Sequence, residues 1–429
     1  MSNPAFSKCL SRLFYYYHIF EWLMLFYIES RVLGVLSLIL CILSLLIPKN
    51  RKLVLFGASQ GKYFDGNSCA LYQYFIKVHK GEFLCVWLTD SEEVLLYVKN
   101  IGGVAHLKKS LTGIWLSLRA PLIVTTHSSR DVLLYSTILK KPKELLLHHG
   151  APMNRGPNRG YLSSGNVIFK NDAELLKYAK RITCLIATSS WTADRLTMLL
   201  PVPSSQVKIT GYPRYDFFFQ PDEVMINSIK SKYSLDKCKY IVLYATSYRK
   251  WAPVRYFPFE GLDMENLCQF LKERRITIII RPHPSDVKRQ KDNLLWKKLH
   301  GLGEVIKIII RDEIPDVQPL LYLSDCLITD YSSIQHDYFL LNRPVMYLPY
   351  DVDEYSKKAG GFHLDYEEFS PGPKPRTQAE FLGYLEMFYK NEDPFSEKRS
   401  RIRDIVHKYK DGQSSRRVYE LIKEMLSSV

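Results

Sequence analysis

The sequence predicts an α/β protein of two doubly wound, parallel-sheet domains facing one another across a cleft. Short apolar runs recur along the chain, and most are continuous rather than alternating, the pattern of strands covered on both faces by helices. Segments of helical length separate them, which gives repeated βαβ units. The series stops and restarts between Asp216 and Lys237, where "QPDEV" opens a polar helix. A chain of 429 residues, 46% hydrophobic and 24% charged, has the size and balance for two such domains and is not composed like a disordered protein.

Taken in order, residues 1–50 stand apart. From Leu10 to Pro48 the chain is apolar and aromatic, interrupted by Arg12, Glu21, Glu29 and Arg31. The stretch "VLGVLSLILCILSLLIP" (32–48) carries no charge and falls just short of the ~20 residues of a spanning helix. Lys49, Arg51 and Lys52 follow at once, as at an anionic cytoplasmic face. The absence of a basic n-region and of a small-residue cleavage site argues against a removable signal. These residues are expected to form an apolar helical segment that associates with the membrane, either single-pass or lying in one leaflet.

The first domain, residues 51–220, holds candidate strands at 53–57, 83–89, 122–127, 145–149, 183–189 and 207–211. The second, residues 221–395, holds them at 240–246, 276–284, 305–310, 326–333 and 344–351. Residues 396–429 read as basic helices. In open α/β sheets the ligand crevice lies beyond the carboxyl ends of the strands, so the chemistry is expected just after each run.

The formal charge of +15 suits an anionic partner. Nucleic acid is disfavoured because the basic residues are spread along the chain rather than clustered with aromatics. Eight cysteines are scattered without a CxxC pair, which reads as reduced core thiols and gives no support for bound zinc. "GASQGK" (57–62) is one residue short of a nucleotide-binding P-loop, and Tyr63 stands where the metal-binding hydroxyl belongs, so its glycines read as a tight strand-to-helix turn. "DVD" (351–353) is a weak candidate for a divalent ion, and no metal is expected.

Stronger signals follow the strands. "RPHP" (281–284) sets Arg281 and His283 at a strand end between stiffening prolines, against the plainer reading of a histidine that caps a strand. "ITDYSSIQHD" (328–337) ends a strand at Asp330 and opens a helix with Ser332 and Ser333. Such a helix start suits an anion, although a serine cap uses the same geometry. "GYPRYD" (211–216) offers Arg214 and Asp216, and "YATSYR" (244–249) offers Arg249. "LLLHHGAPMN" (145–154) sets His148 and His149 at a strand end, where a metal site, a proton shuttle and solvated loop residues all fit. Arginines, histidines and hydroxyls with few paired carboxylates favour transfer of a phosphorylated group over glycoside hydrolysis.

In series, these motifs resemble the CDP-glycerol glycerophosphotransferase family of teichoic-acid primases and polymerases and their capsule-making relatives. The family's WHGTPLK is similar to residues 148–154, and its GYPR-D, YAPTWR, RMHP, ITDYSS…D and RP…YD…Y…GF…DY…PGP runs have counterparts in order between 211 and 373. "FGASQGKYFDGN" (56–67) looks like its entry into the first domain. The likeness covers residues 50–375. Departures are Ala151 and Asn154 for Thr and Lys, Thr246 for Pro, Tyr248 for Trp, and Gly360 where Arg is common.

The resemblance implies a metal-independent GT-B fold without cofactor, with the CDP moiety in the second domain and monotopic attachment to the cytoplasmic leaflet. It further implies transfer from CDP-glycerol or a close CDP-polyol to a hydroxyl of a lipid-linked polyol-phosphate or saccharide acceptor. His149 is then the expected general base, with Gly150 beside it to let the acceptor approach. His283, Arg281, Ser332 and Ser333 are expected to stabilise charge, with Arg214 and Arg249 behind them and Asp216 and Asp330 as orienting groups. Alternation along the strand would turn His148 the other way. The rivals are a nucleotide-sugar transferase on the same fold and a non-catalytic membrane scaffold. Oligomeric state stays open.

Overall fold

The computed structural model describes residues 46–78, 81–133, 142–151, 172–362 and 364–427. The expected membrane-associating segment falls almost entirely outside them, as do Asn154 and its neighbours. Among the described residues, twelve strands form two all-parallel sheets. The first holds β1 (Leu53–Phe56), β2 (Leu84–Thr89), β3 (Ala105–Leu107), β4 (Leu122–Thr125), β5 (Lys143–Leu146), β6 (Ile182–Ala187) and β7 (Val207–Ile209), in the order β3-β2-β1-β4-β5-β6-β7. The second holds β8 (Tyr240–Tyr244), β9 (Ile276–Ile280), β10 (Ile306–Ile308), β11 (Cys326–Thr329) and β12 (Val345–Tyr347), in the order β10-β9-β8-β11-β12.

In each sheet the order reverses beside the first strand. In the first sheet β1 lies between β2 and β4, with Val54 opposite both Cys85 and Leu122. In the second, β8 lies between β9 and β11. This is the doubly wound arrangement expected from the apolar runs, and it sets a crevice where the order switches. All eleven expected strands are present. The twelfth, β3, is a three-residue edge strand with two half-buried positions, too short and too polar to stand out as an apolar run. Most strands also end earlier than the runs suggested: β5 stops at Leu146 and β9 at Ile280. The residues beyond them are therefore turn residues.

Burial follows the pattern. β1, β8, β9 and β11 are buried at every position, as helices on both faces require. Under the first sheet, Phe56, Tyr72 and Trp87 pack edge to face, with centroids 5.3 Å apart for Phe56–Tyr72 and 5.6 Å for Tyr72–Trp87. Several helices start on residues suited to cap them: Ser91, Ser189, Asp222 and Thr377 each accept a first-turn N–H.

The C-terminal residues do not stand apart as residues 396–429. Helix Ser396–Val406 bridges the domains. Arg399, fully buried, bonds to the Asn342 carbonyl at 3.0 Å and pairs with Asp393, while Thr188 of the first domain donates to the Val406 carbonyl at 2.7 Å. Helix Ser414–Ser427 returns to the first domain. Its Tyr419 packs on Phe75 at 5.3 Å, and Asp216 caps it from a distant turn, accepting the Ser414 and Ser415 N–H groups at 2.8 and 2.7 Å. Gly211, with φ +78°, leaves room for that helix start, because a methyl would lie 2.4 Å from Ser414 Oγ.

Candidate active site

The turn after β5 carries His149, the residue expected from the sequence to act as base. Its backbone bends sharply at His148, whose φ of +55° lies in the left-handed region. Strand alternation has ended by then, so His148 does not point away from His149. The two rings stack, with centroids 4.5 Å apart, and His127 stacks on the other side of His149 at 5.0 Å. His149 is thus the middle ring of three, half-buried, with Nδ1 covered and without a hydrogen-bond partner among the described residues. Burial holds its pKa well below the ordinary value, helped by His148, His127 and Arg214. The ring is neutral at neutral pH, rather than poised near 6.5.

Each neighbour is itself fixed. His148 Nδ1 lies 2.8 Å from the Gly150 carbonyl, which requires the proton on that nitrogen. Ser59 N–H donates to His127 Nδ1 at 3.3 Å. Asp131 accepts N–H groups from Gln60, Thr126 and His127 at 2.7 to 2.9 Å and so clamps the Ser59 turn to the His127 turn. Ser59, Gln60 and Gly61 are all left-handed, with φ of 49°, 58° and 85°. Lys108 donates to the Gln60 carbonyl at 3.0 Å and pairs with Asp90. "GASQGK" is a tight turn, as expected.

Gly150 brings the domains together. A methyl there would lie 2.9 Å from Ser333 Oγ of the second domain and 3.9 Å from Arg214 Nη2. Its lack of a side chain therefore makes room for the Ser333 hydroxyl, not only for an acceptor. Arg214 pairs across the domains with buried Asp337 at 2.6 Å, and Tyr215 donates to the same carboxylate at 2.7 Å. Arg214 Nε is buried without a hydrogen-bond partner among the described residues. Ser332 Oγ accepts the Ile334 N–H at 3.3 Å, a local helix-start contact.

His283 stands on the opposite side. It caps helix Pro284–Gln290, its Nδ1 accepting the Ser285 N–H at 3.1 Å, so Nε2–H is left to donate. Desolvation, with Arg311 and Arg289 nearby, lowers its pKa to about 4, part of which solvent screens because the residue is exposed. His283 is therefore a neutral donor at neutral pH. Tyr248, the departure from the family's Trp, stacks on it at 4.6 Å and accepts from Arg289 at 2.9 Å.

Four expected substrate ligands turn elsewhere. Arg281 is buried and donates to the Ile309, Ile310, Ile314 and Pro315 carbonyls at 2.5 to 3.3 Å, so it holds that loop. Arg249, fully buried, meets Asp351 with two bonds of 2.6 and 2.8 Å and Asp330 with one of 2.9 Å. Two carboxylates neutralise it, and the same pairing accounts for Asp330 and for Asp351 of "DVD". Asp330 also accepts the Ser247 N–H at 2.8 Å. Asp216 caps the last helix. In each case a buried ionic group must be satisfied internally, and close partners do so.

The loop held by Arg281 carries a residue not picked out from the sequence. Arg311 crosses to the first domain, where it pairs with Asp65, donates to Ser59 Oγ at 2.8 Å and lies over Tyr63 at 4.0 Å. Arg311 and His127 both follow apolar strand runs, so the strand-end rule applied evenly would have found them. Asp337 stood within a quoted motif but was given no role.

The comparisons agree with the two-sheet fold. The family model described as CDP-glycerol:poly(glycerophosphate) glycerophosphotransferase matches residues 39–424. The chain is 25% identical over 391 residues to the teichoic acid glycerol-phosphate transferase of Staphylococcus aureus, covering 87% of this chain and 93% of that one. It is 27% identical over 346 residues to the teichoic acid poly(glycerol phosphate) polymerase of Bacillus subtilis, covering 78% of this chain but 44% of that one. A solved structure of the wall teichoic acid polymerase TagF shares the fold, with a TM-score of 0.71 at 22% identity over 89% of this chain and 90% of that one. With its motifs in order and its model match spanning nearly the whole chain, the protein belongs to the CDP-glycerol:poly(glycerophosphate) glycerophosphotransferase family.

Proposed function

We propose that this cleft transfers glycerol phosphate from CDP-glycerol to a hydroxyl of a polyol-phosphate acceptor and releases CMP, with His149 as the general base. The observation that carries the reading is the middle ring of the histidine stack: a neutral imidazole held rigidly, one residue from the contact between Gly150 and Ser333. The acceptor oxygen attacks the phosphorus that bears glycerol. A new phosphorus–oxygen bond forms, the bond to the bridging oxygen breaks with its electrons passing to CMP, and the hydroxyl proton goes to His149.

A loose transition state leaves most of the proton on the attacking oxygen until late, so a weak but well-oriented base suffices. Charge grows on the leaving phosphate, where fixed donors act most strongly. Ser333, Arg214 and the His283 Nε2–H are the groups assigned there. Ser332 supports them by shaping the helix start. Arg281, Arg249 and Asp330 act one step back, by holding the loops that carry Arg311, Tyr248 and Tyr331.

The acceptor is proposed to be lipid-linked, with the enzyme on the cytoplasmic face of the membrane. The uncharged run at 32–48 and the basic residues at 49–52 support this. Incubating purified protein with CDP-glycerol, CDP-ribitol or a nucleotide sugar and a lipid-linked acceptor tests the whole reading by mass spectrometry. CMP and an acceptor heavier by glycerol phosphate are expected. Release of UDP or GDP from a nucleotide sugar, without CMP from either CDP donor, would overturn it.

A further inference from the structure

Asn67 lies in the first turn of helix Gly66–Val78 and is fully buried. Its Nδ2 donates to the His148 carbonyl at 2.7 Å and to the Leu147 carbonyl at 3.3 Å. Its Oδ1 accepts the backbone N–H of Arg214 at 3.2 Å. One rigid amide therefore joins three segments distant in sequence: the helix after β1, the base-bearing turn after β5, and the Arg214 turn after β7.

The arrangement is demanding. A buried amide left unsatisfied is costly, so these contacts are not incidental. The carbonyl it holds most closely belongs to His148, whose left-handed backbone is strained for a residue other than glycine and persists only where its surroundings impose it. That bend is what places His149 between the two other rings. The far side of the same amide fixes the residue whose guanidinium lies beside Gly150 and reaches Asp337.

We propose that Asn67 is a positioning residue that sets the spacing between the base-bearing turn and Arg214, and through it the orientation of His149. The inference rests on reading His149 as the base. Asn67 does not touch substrate. Its amide does for the cleft what a tie does for two adjoining beams: removing it leaves both turns in place but no longer in register.

The test compares Asn67→Ala and the isosteric Asn67→Asp with Tyr72→Phe, all in the full chain. Tyr72 lies on the same helix, and its hydroxyl bonds both to the Val104 carbonyl and to the Val104 N–H, at 2.9 and 2.8 Å, away from either turn. Loss of register is expected to lower kcat for CMP release about 10- to 100-fold while KM for CDP-glycerol stays within about twofold. The acid limb of the pH–kcat profile should also move up by about one unit as water reaches His149, against the remaining pressure from His148, His127 and Arg214. Asn67→Asp keeps the acceptor for Arg214 but sets an oxygen against two carbonyls, so it should be at least as damaging.

Tyr72→Phe should lower the melting temperature comparably and leave kcat and the acid limb unchanged. The inference is overturned if Asn67→Ala keeps kcat within twofold with an unshifted limb. It is overturned equally if Tyr72→Phe reproduces both changes, since the role would then be structural only. If Asn67→Ala does not fold, Asn67→Asp decides by the same two readouts. Full turnover by His149→Asn would instead sink the base assignment itself, a separate failure.

Discussion

The turn after β5 in the first domain and the turns after β8 and β9 in the second are built from the same residue types, histidines and arginines at strand ends. In the first, three imidazoles stack, and the middle one stands half-buried with a nitrogen that finds no partner among the described residues. In the second, Arg249 and Arg281 point back into the domain and are satisfied by two carboxylates and five carbonyls. The difference lies in donor count. A guanidinium carries five N–H donors in a rigid fork, so once buried it gathers loops around itself. An imidazole carries one donor and one acceptor when neutral, so it can be packed by stacking and still present a nitrogen. The second domain uses arginine as scaffold, and the cations that approach the cleft, Arg311 and Arg289, come from segments beside those it holds.

That contrast can be tested directly. The largest effect is expected from His149→Asn, which removes the proposed base: turnover should fall about 1000-fold with an unchanged melting temperature. In the native enzyme, kcat should stay level as pH falls through 6.5, because only the neutral ring accepts the proton and its pKa is held well below that value. A half-maximal point near 6.5 would mean that the ring is solvated. Arg249→Leu should act on stability instead. It leaves Asp330 and Asp351 without their counter-charge and should cost about 3–5 kcal/mol, read by denaturant unfolding. An Arg249→Leu protein of native stability but without donor affinity would return Arg249 to phosphate binding.

His283→Asn gives a smaller, sharper test. Asparagine keeps the helix cap and removes the Nε2–H donor, so kcat should fall about 100-fold while the melting temperature holds. Retained turnover would reduce His283 to a cap. The smallest effect is expected from Asp216→Ala, which removes the cap of helix Ser414–Ser427 at a cost of about 1 kcal/mol and should leave kcat unchanged.

The parts legible in advance were those governed by local pattern. Fully buried strands announce themselves as continuous Val, Ile and Leu runs, and "ITIIIRPHP" gave β9 together with the turn that presents His283. β3 escaped because an edge strand of three residues needs no such run. His149 was legible through its motif, but its surroundings were not. The ring that covers it from one side, His127, comes from 22 residues earlier in the chain, and the left-handed bend at His148 has no sequence signature, since glycine follows two positions later. The internal partners of Arg249 and Arg281 were hidden for a related reason. Position after a strand says that a side chain is near the crevice, but not whether its donors face outward or are taken up by carbonyls of the same domain.

The sequence on its own settled the class of fold, the two sheets, the order of the motifs and the place of His149 shortly after β5. These follow from spacing and burial preference along one stretch of chain. Only the folded molecule decided which charges are free. Asp337 answers Arg214, Asp65 answers Arg311, Asp216 answers the last helix, and Asn67 answers two turns at once. A buried polar group must find a partner wherever in the chain one lies, and that search is settled by packing in three dimensions.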